Sequence, residues 1–400
     1  MTVRSLLAKL RLSLLCLSAG VVPASAADFQ GCLAGLRGAA AAAGVSSATF
    51  DRHTAGLSPD MTVLELMVKQ PEFRTPIWDY MASLVDSERV ADGRAMLAKW
   101  NGPLAAAQRR YGVDPTTVVA VWGVESNFGR NGGDRPLVQS LSTLACFAHR
   151  RRDYFRSELF NTLKILQRGD VRPEHLMGSW AGAFGHTQFM PSTFLRTAVD
   201  GDGDGRRDIV DSVPDALAST ANYLAKSGWV TGGRWGFEVN LPSDFKAGLA
   251  GRGKRRPLSA WAAMGVTRVD GSSLPEGNQR SAVILPAGPS GPAFVVFRNF
   301  DAIYSYNAAE SYALAIAHLS DRLRGGGPIT TPWPTDDPGL SRAERRELQL
   351  LLGKVGYDVG HPDGRIGDKT RHAIKQVQKS LGWKETGRAG KKILVALRSN

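Results

Sequence analysis

A mainly α-helical architecture, with a small β-rich insertion and a compact helical module at the C-terminal end, is what the amino-acid sequence predicts. Apolar residues recur at helical spacing through most of the first three hundred positions. Between about 229 and 298 the texture changes to short β-branched and aromatic runs split by Gly and Pro. A Gly/Pro-rich stretch over residues 324–339 then sets off a last segment that opens on a capping box, Ser341-Arg342-Ala343-Glu344. Four hundred residues with 43% hydrophobic content suffice for two or three domains with real cores.

Residues 1–26 carry Arg4, Lys9 and Arg11, an apolar run over 12–22 and then Ala24-Ser25-Ala26. This is the pattern of a cleaved export signal, too short in its apolar part to span a bilayer. Cys16 follows Leu15, where a lipoprotein signal needs a small residue, so a periplasmic protein without a lipid anchor is expected. Without the leader, 47 Lys and Arg face 37 Asp and Glu, a net charge of +10. An anionic partner is implied, and outside the cytoplasm a cell-wall polymer or membrane surface suits better than nucleic acid. The two remaining cysteines, Cys32 and Cys146, are an even number in an oxidising compartment and point to one disulfide, with two buried thiols as the alternative. No Cys/His spacing suits zinc.

Residues 29–104 read as successive helices. The chain is organised around the stretch after them, where Asp114-Pro115 is an N-cap followed by proline at the first helical position and Asn127 and Gly129 mark the end. Glu125 falls in the last turn, at helical spacing from Val118, Val121 and Trp122. A carboxyl on such a face is desolvated, its pKa rises, and it becomes competent as a general acid. Helices follow over 137–147 and 154–166, with Arg150-Arg151-Arg152 in the turn between them.

Residues 178–192, Gly-Ser-Trp-Ala-Gly-Ala-Phe-Gly-His-Thr-Gln-Phe-Met-Pro-Ser, form a glycine-rich loop that lets backbone and polar side chains approach a ligand, and Pro191 starts the next helix. Asp200, Asp202, Asp204, Arg206 and Asp208, with Gly205 in sixth place, match the front of an EF-hand calcium loop. Its closing residue is left open between Asp211 and Asp215. Residues 216–227 read as a helix holding Tyr223, residues 236–241, 282–285 and 293–297 as strands, and 303–323 as one further helix. The segment 324–339 reads as a flexible linker, and 340–400 as two or three helices.

With these motifs assembled, the chain resembles the membrane-bound lytic murein transglycosylase B family over residues 29–323. The resemblance rests on Glu125-Ser126-Asn127-Phe128-Gly129, the loop from Ser179 to Ser192, the Asp-Gly run, and Tyr306-Asn307 with Tyr312. Residues 340–397, with Gly356-Tyr357, Pro362-Asp363-Gly364 and Gln378, look like a peptidoglycan-binding domain. The resemblance implies a lysozyme-like fold over residues 27–323 and a three-helix terminal domain. It also implies Glu125 as sole catalytic acid and base, and a glycan groove lined by Tyr80, Ser126, Ser179, Gln188, Tyr223, Tyr306, Asn307 and Tyr312, with Arg150 or Arg151 reaching saccharide or peptide. Phe184 and His186 depart from the family pattern, where methionine and glutamine are usual.

The expected activity is cleavage of the bond between N-acetylmuramic acid and N-acetylglucosamine with closure of a 1,6-anhydro ring, a lyase step without cofactor. Calcium, held by Asp200, Asp202, Asp204, Arg206, Asp208 and Asp215, would be structural. The expected partners are peptidoglycan strands and cell-wall synthesis proteins. A hydrolase of the same bond and a non-catalytic wall-binding scaffold are the competing readings.

Overall fold

The computed structural model describes residues 26–68 and 75–399; the expected leader, but for Ala26, lies outside them. Among the described residues six helices precede the central one: α1 (Ala26–Ala42), α2 (Ser47–Thr54), α3 (Thr62–Val68), α4 (Ile77–Leu84), α5 (Ser87–Lys99) and α6 (Asn101–Tyr111). The central helix is α7 (Pro115–Ser126), with Asp114 accepting a cap bond from the Thr116 amide and Asn127 closing the other end in the left-handed conformation. Next come β1 (Arg135–Pro136), the hairpin of α8 (Leu137–Phe147) and α9 (Arg152–Arg168), β2 (Met177–Gly178), α10 (Pro191–Thr197) and α11 (Val213–Lys226). β1 and β2 pair as a short antiparallel ribbon that leads the chain into the glycine-rich loop.

The β-rich insertion is a five-stranded sheet built from β3 (Gly236–Asn240), β4 (Arg256–Pro257), β5 (Thr267–Arg268), β6 (Arg280–Ile284) and β7 (Ala293–Val296), with α12 (Leu258–Ala263) between β4 and β5. The order is β4-β6-β7-β3-β5, and every pair is antiparallel. The period of two along the strands places two different cores on the two faces. Phe294 and Val296 of β7, with Ala282 and Ile284 of β6, join the core around α7. Their alternates Ala293, Val295 and Val283 face a separate core around Trp261.

After the sheet, the single helix expected over 303–323 is two: α13 (Arg298–Tyr304) and α14 (Glu310–Leu323). Ala308 takes φ +43° between them, which ends the first helix and frees Tyr306 and Asn307 into a turn. The interruption serves burial, because the Tyr306 ring fills the seam between two cores. One core surrounds α7 with α14, α11 and the sheet; the other surrounds α8 and α9 with α1, α2 and α10.

The terminal module comprises α15 (Arg342–Lys354), α16 (Asp368–Ser380) and α17 (Lys391–Arg398) around Leu348, Leu352, Ile374 and Leu394. The capping box at Ser341 and Glu344 forms with both reciprocal bonds. The flexible linker expected over 324–339 is instead a fastened strap. Ile329 and Trp333 pack against the α7 core, and the Glu238 carboxylate accepts the amides of Thr330 and Thr331 at 2.8 and 2.7 Å. Composition sees the glycines and prolines of this stretch but not its two apolar anchors. The module docks beyond the strap: Arg388 donates to both Asp79 oxygens and pairs with Asp337, Arg342 forks onto Asp86, and Arg346 pairs with Glu88.

Cys32 of α1 and Cys146 of α8 form the expected disulfide, with Cα atoms 6.0 Å apart across a sequence separation of 114. It reinforces an apolar attachment, since Phe29, Leu33 and Leu36 of α1 already enter the α8/α9 core. Replacing both cysteines by serine should lower unfolding free energy by about 2–4 kcal/mol. Denaturant melts of the two proteins check this. Unchanged midpoints would show that the bond adds nothing to the packing of α1.

Candidate active site

The site is built from the C-terminal end of α7. This helix is buried almost all round, from Thr117 to Gly123 and again at Ser126, so its packing leaves no solvated face. Gly123 is required there, because a Cβ would meet the Phe128 ring at 2.8 Å. Glu125 carries the carboxyl in the last turn of this helix and is largely buried there. Burial pushes its pKa up to about 7, opposed by a hydrogen bond from the Tyr312 hydroxyl that favours the ionised form. The negative end of the helix dipole acts in the same direction as burial. No carboxylate contributes to this shift among the described residues.

Tyrosines form one wall. Tyr312 on α14 donates to Glu125 Oε1, and its ring stacks with Tyr306 at 6.3 Å. Tyr306 packs on Tyr223 at 4.6 Å and on Phe189 at 5.7 Å, and donates to the Thr187 carbonyl at 2.9 Å. Tyr223 in turn donates to the Ser305 carbonyl at 2.7 Å. Burial and the nearby Glu125 charge hold the hydroxyls of Tyr306 and Tyr312 well above the ordinary phenol range, so they act as neutral donors. Tyr80 on α4 is half-buried and close enough to influence Tyr312 electrostatically. Asn307 is exposed in the turn beside Tyr306.

The glycine-rich loop packs directly against the tyrosines through Thr187 and Phe189, and its polar groups mostly hold the loop itself. Ser179 Oγ accepts the Ala183 amide at 3.0 Å and closes the turn 179–183. Gln188, at φ +49°, commits its amide nitrogen to the carbonyls of Gly132 and Gly185. Phe184 is fully buried against Phe194, a packing residue. His186 lies under the loop: its Nδ1 accepts the Trp122 indole N–H at 2.9 Å, so the ring proton belongs to Nε2, and burial keeps it neutral by lowering its pKa. A side chain at Gly129 would collide with this imidazole.

Ser126 does not line the groove. It is fully buried, donating to the His186 carbonyl at 2.7 Å and accepting the Gly129 amide at 3.0 Å, so it fastens the helix end to the loop. Arg150 and Arg151 are exposed at the α8–α9 turn, where Arg151 lies 4.2 Å over the Tyr154 ring. Thr187 and the Trp122–His186 pair escaped the sequence reading, since both work through contacts more than sixty positions apart.

The acidic loop lies just beyond α10. Carboxylate oxygens of Asp200, Asp202 and Asp204 converge within 4.8 Å of one another. The Arg206 guanidinium pairs with Asp204, so only its backbone carbonyl is available as a ligand. Of the two candidates for closure, Asp211 is turned to Arg172 and His175. Asp215 closes the loop instead, accepting the amides of Gly201 and Asp208 at 2.7 and 2.6 Å. Its burial, with Asp202 and Asp200 nearby, pushes its pKa up to about 6. Asp208 is buried, one oxygen capping Val210 and Asp211 while the other has no partner. Asp208 and Asp215 stand outside the converging trio and brace it. Three crowded carboxylates fit a hard cation with oxygen ligands.

Residues 28–321 match the family model described as a transglycosylase SLT domain, and residues 341–397 that of a putative peptidoglycan-binding domain. Membrane-bound lytic murein transglycosylase B of Escherichia coli K12 is 33% identical over 264 residues, covering 64% of this chain and 70% of its own. The crystal structure of SltB3 from Pseudomonas aeruginosa, in complex with NAG-anhNAM-pentapeptide, is 46% identical with a TM-score of 0.75, covering 92% of this chain and 99% of that one. The Escherichia coli lytic transglycosylase Slt35 in complex with calcium is 28% identical with a TM-score of 0.63, over 74% of this chain and 92% of that one. With its acid at the end of a buried helix and a tyrosine wall above it, this chain belongs to the transglycosylase SLT-domain family and carries a peptidoglycan-binding domain behind it.

Proposed function

We propose that the chain is a periplasmic lytic transglycosylase that cleaves the β-1,4 bond between N-acetylmuramic acid and N-acetylglucosamine, with Glu125 as its one acid and base. The carrying observation is a carboxyl at the end of a buried helix, its pKa raised by burial to about 7, with no second carboxylate among the described residues acting on it. Ordinary retaining and inverting glycosidases place two carboxyl groups about 5–9 Å apart across the scissile bond. With one, the positive charge at C1 must be met by the substrate, and the N-acetyl oxygen of the muramic residue is placed to do so.

In this mechanism protonated Glu125 gives its proton to the glycosidic oxygen as the C1–O4 bond breaks, and the N-acetyl oxygen bonds to C1. Glu125, now ionised and steadied by the Tyr312 hydroxyl, takes the proton of the muramic 6-hydroxyl. O6 then attacks C1 and displaces the N-acetyl oxygen, closing the 1,6-anhydro ring and returning Glu125 to its protonated form. No water is consumed. Tyr80, Tyr223, Tyr306, Asn307, Ser179 and Gln188 are proposed to line the sugar subsites, and Arg150 or Arg151 to reach peptide or saccharide. The NAG-anhNAM-pentapeptide bound by SltB3 supports this substrate class. The disulfide suits an oxidising compartment.

Calcium is proposed to sit at Asp200, Asp202 and Asp204, supported by the calcium complex of Slt35. When bound, it supplies charge neutralisation that holds the loop after α10; it takes no part in the proton transfers.

Glu125→Gln should fold and bind sacculi but turn over at least about a hundredfold more slowly, because the amide cannot donate a proton. Mass spectrometry of the wild-type products should show muropeptides one water lighter than hydrolysed ones, and products of hydrolysed mass would establish a muramidase instead. The pH dependence has a fixed sign. A raised carboxyl pKa keeps the donating form present below it, so kcat should fall as pH rises through about 7. A profile flat to pH 9 would remove Glu125 as the acid. Calcium should raise the melting temperature of the chain, and Asp200→Ala with Asp204→Ala should abolish the rise. Identical melts with calcium and with chelator would exclude the metal.

A further inference from the structure

The chain leaves α7 through three successive left-handed residues, Asn127 at φ +49°, Phe128 at +59° and Gly129 at +83°. Two of these are not glycine, and each holds a strained conformation that its surroundings must impose. Phe128 is imposed by packing, its ring filling the space left by Gly123 and standing edge-on to Trp122 at 5.7 Å. Ser126 ties Gly129. Asn127 is held from outside the catalytic region. Its Oδ1 accepts Nη1 of Arg342 at 2.9 Å, from the first residue of α15 in the terminal module, 215 positions away.

Arg342 is itself held rigid. Its Nε and Nη2 fork onto the two oxygens of Asp86 at 2.9 and 3.1 Å. Asp86 is also the N-cap of α5, accepting the Arg89 amide at 2.8 Å. From the first turn of α5, buried Arg89 donates to the Gly123 carbonyl at 2.5 Å, the same oxygen that accepts the Asn127 amide. Contacts from Asp86, Arg89 and Arg342 therefore meet α7 at Gly123 and Asn127, two residues on either side of Glu125. The charged and titratable groups around this end are Asp86, Glu88, Arg89 and Asp92 of α5, Arg130, Arg342, His186 under the loop, and Tyr80, Tyr306 and Tyr312.

We propose that Arg342 is a positioning residue for the reaction: by holding Asn127 it fixes the last turn of α7 and keeps Glu125 under the tyrosine wall. The terminal module is then part of the catalytic unit, and its arginine is a strut for the acid. The proposal rests on Glu125 being that acid. Other docking contacts lack this role. Arg346 pairs with Glu88, and Arg388 with Asp79 and Asp337, without touching the turn.

The test uses the full-length chain and short soluble glycan strands, so that retention on sacculi plays no part. Arg342→Ala should lower kcat about tenfold with KM within about twofold, and should move the alkaline limb of the pH profile to lower pH, because a loosened last turn admits water to Glu125. Arg342→Lys, which keeps charge but not the fork, should recover part of both effects. Asn127→Gly, at ease in the left-handed conformation but without the acceptor, should reproduce them without unfolding the chain, and the double variant should be no worse than Arg342→Ala. Arg346→Ala should weaken docking without moving the limb. A wild-type limb in both Arg342→Ala and Asn127→Gly, or additive losses in the double variant, would overturn the strut. Activity retained by Glu125→Gln would instead overturn the reading on which it rests.

Discussion

A carboxyl group that holds its proton near neutrality must be kept from water, and the architecture around Glu125 follows from that constraint. The helix that carries it has no solvated face, the dipole end nearest it is the negative one, and a phenol too deeply buried to ionise donates a hydrogen bond to it. The donor matters for the second half of the cycle. A carboxyl raised by burial alone would protonate the leaving group well but be stranded once ionised, and the Tyr312 hydroxyl stabilises that form. Burial and the hydrogen bond therefore oppose each other, and their balance near 7 suits a group that must act first as acid and then as base.

Two hydrophobic cores meet at the tyrosines beside Glu125. Tyr223 and Tyr306 pack against both, so the tyrosine wall is also the mortar between the α7 core and the α8/α9 core. This explains why the helix expected to run unbroken to position 323 is interrupted. A continuous helix could not deliver Tyr306 to the seam and Tyr312 to Glu125 while leaving Asn307 open to the groove. Left-handed backbone at Ala308 reconciles these demands, as left-handed Asn127 and Phe128 do on the facing side.

What the sequence makes legible is local. Helix α7 shows both its caps, the capping box at Ser341 forms as read, and the short β-like runs become the three long strands, because their signals lie within a few residues of their effects. Glu125, Tyr312, Tyr306 and Tyr223, which their motifs single out, come together in space. Ser126 does not join them, because nothing in its neighbours reveals that the His186 carbonyl waits sixty positions on. The strap is the same lesson in reverse. Its glycines and prolines suggest slack chain, whereas Ile329, Trp333 and two amides bound to Glu238 make it a fixed path.

That fixed path changes what the basic composition means. A net charge of +13 suggests an outward-facing surface for an anionic polymer. Yet in the module Arg342, Arg346 and Arg388 turn inward, to Asp86, Glu88 and Asp79. An arginine and a carboxylate taken from water gain little over an apolar contact of the same area, but the paired fork accepts only one geometry. A docking face built from such pairs is therefore suited to setting orientation more than to adding stability. Orientation is what a strut on Asn127 requires, since a shift of α15 by one ångström would be felt at a turn two residues from the acid.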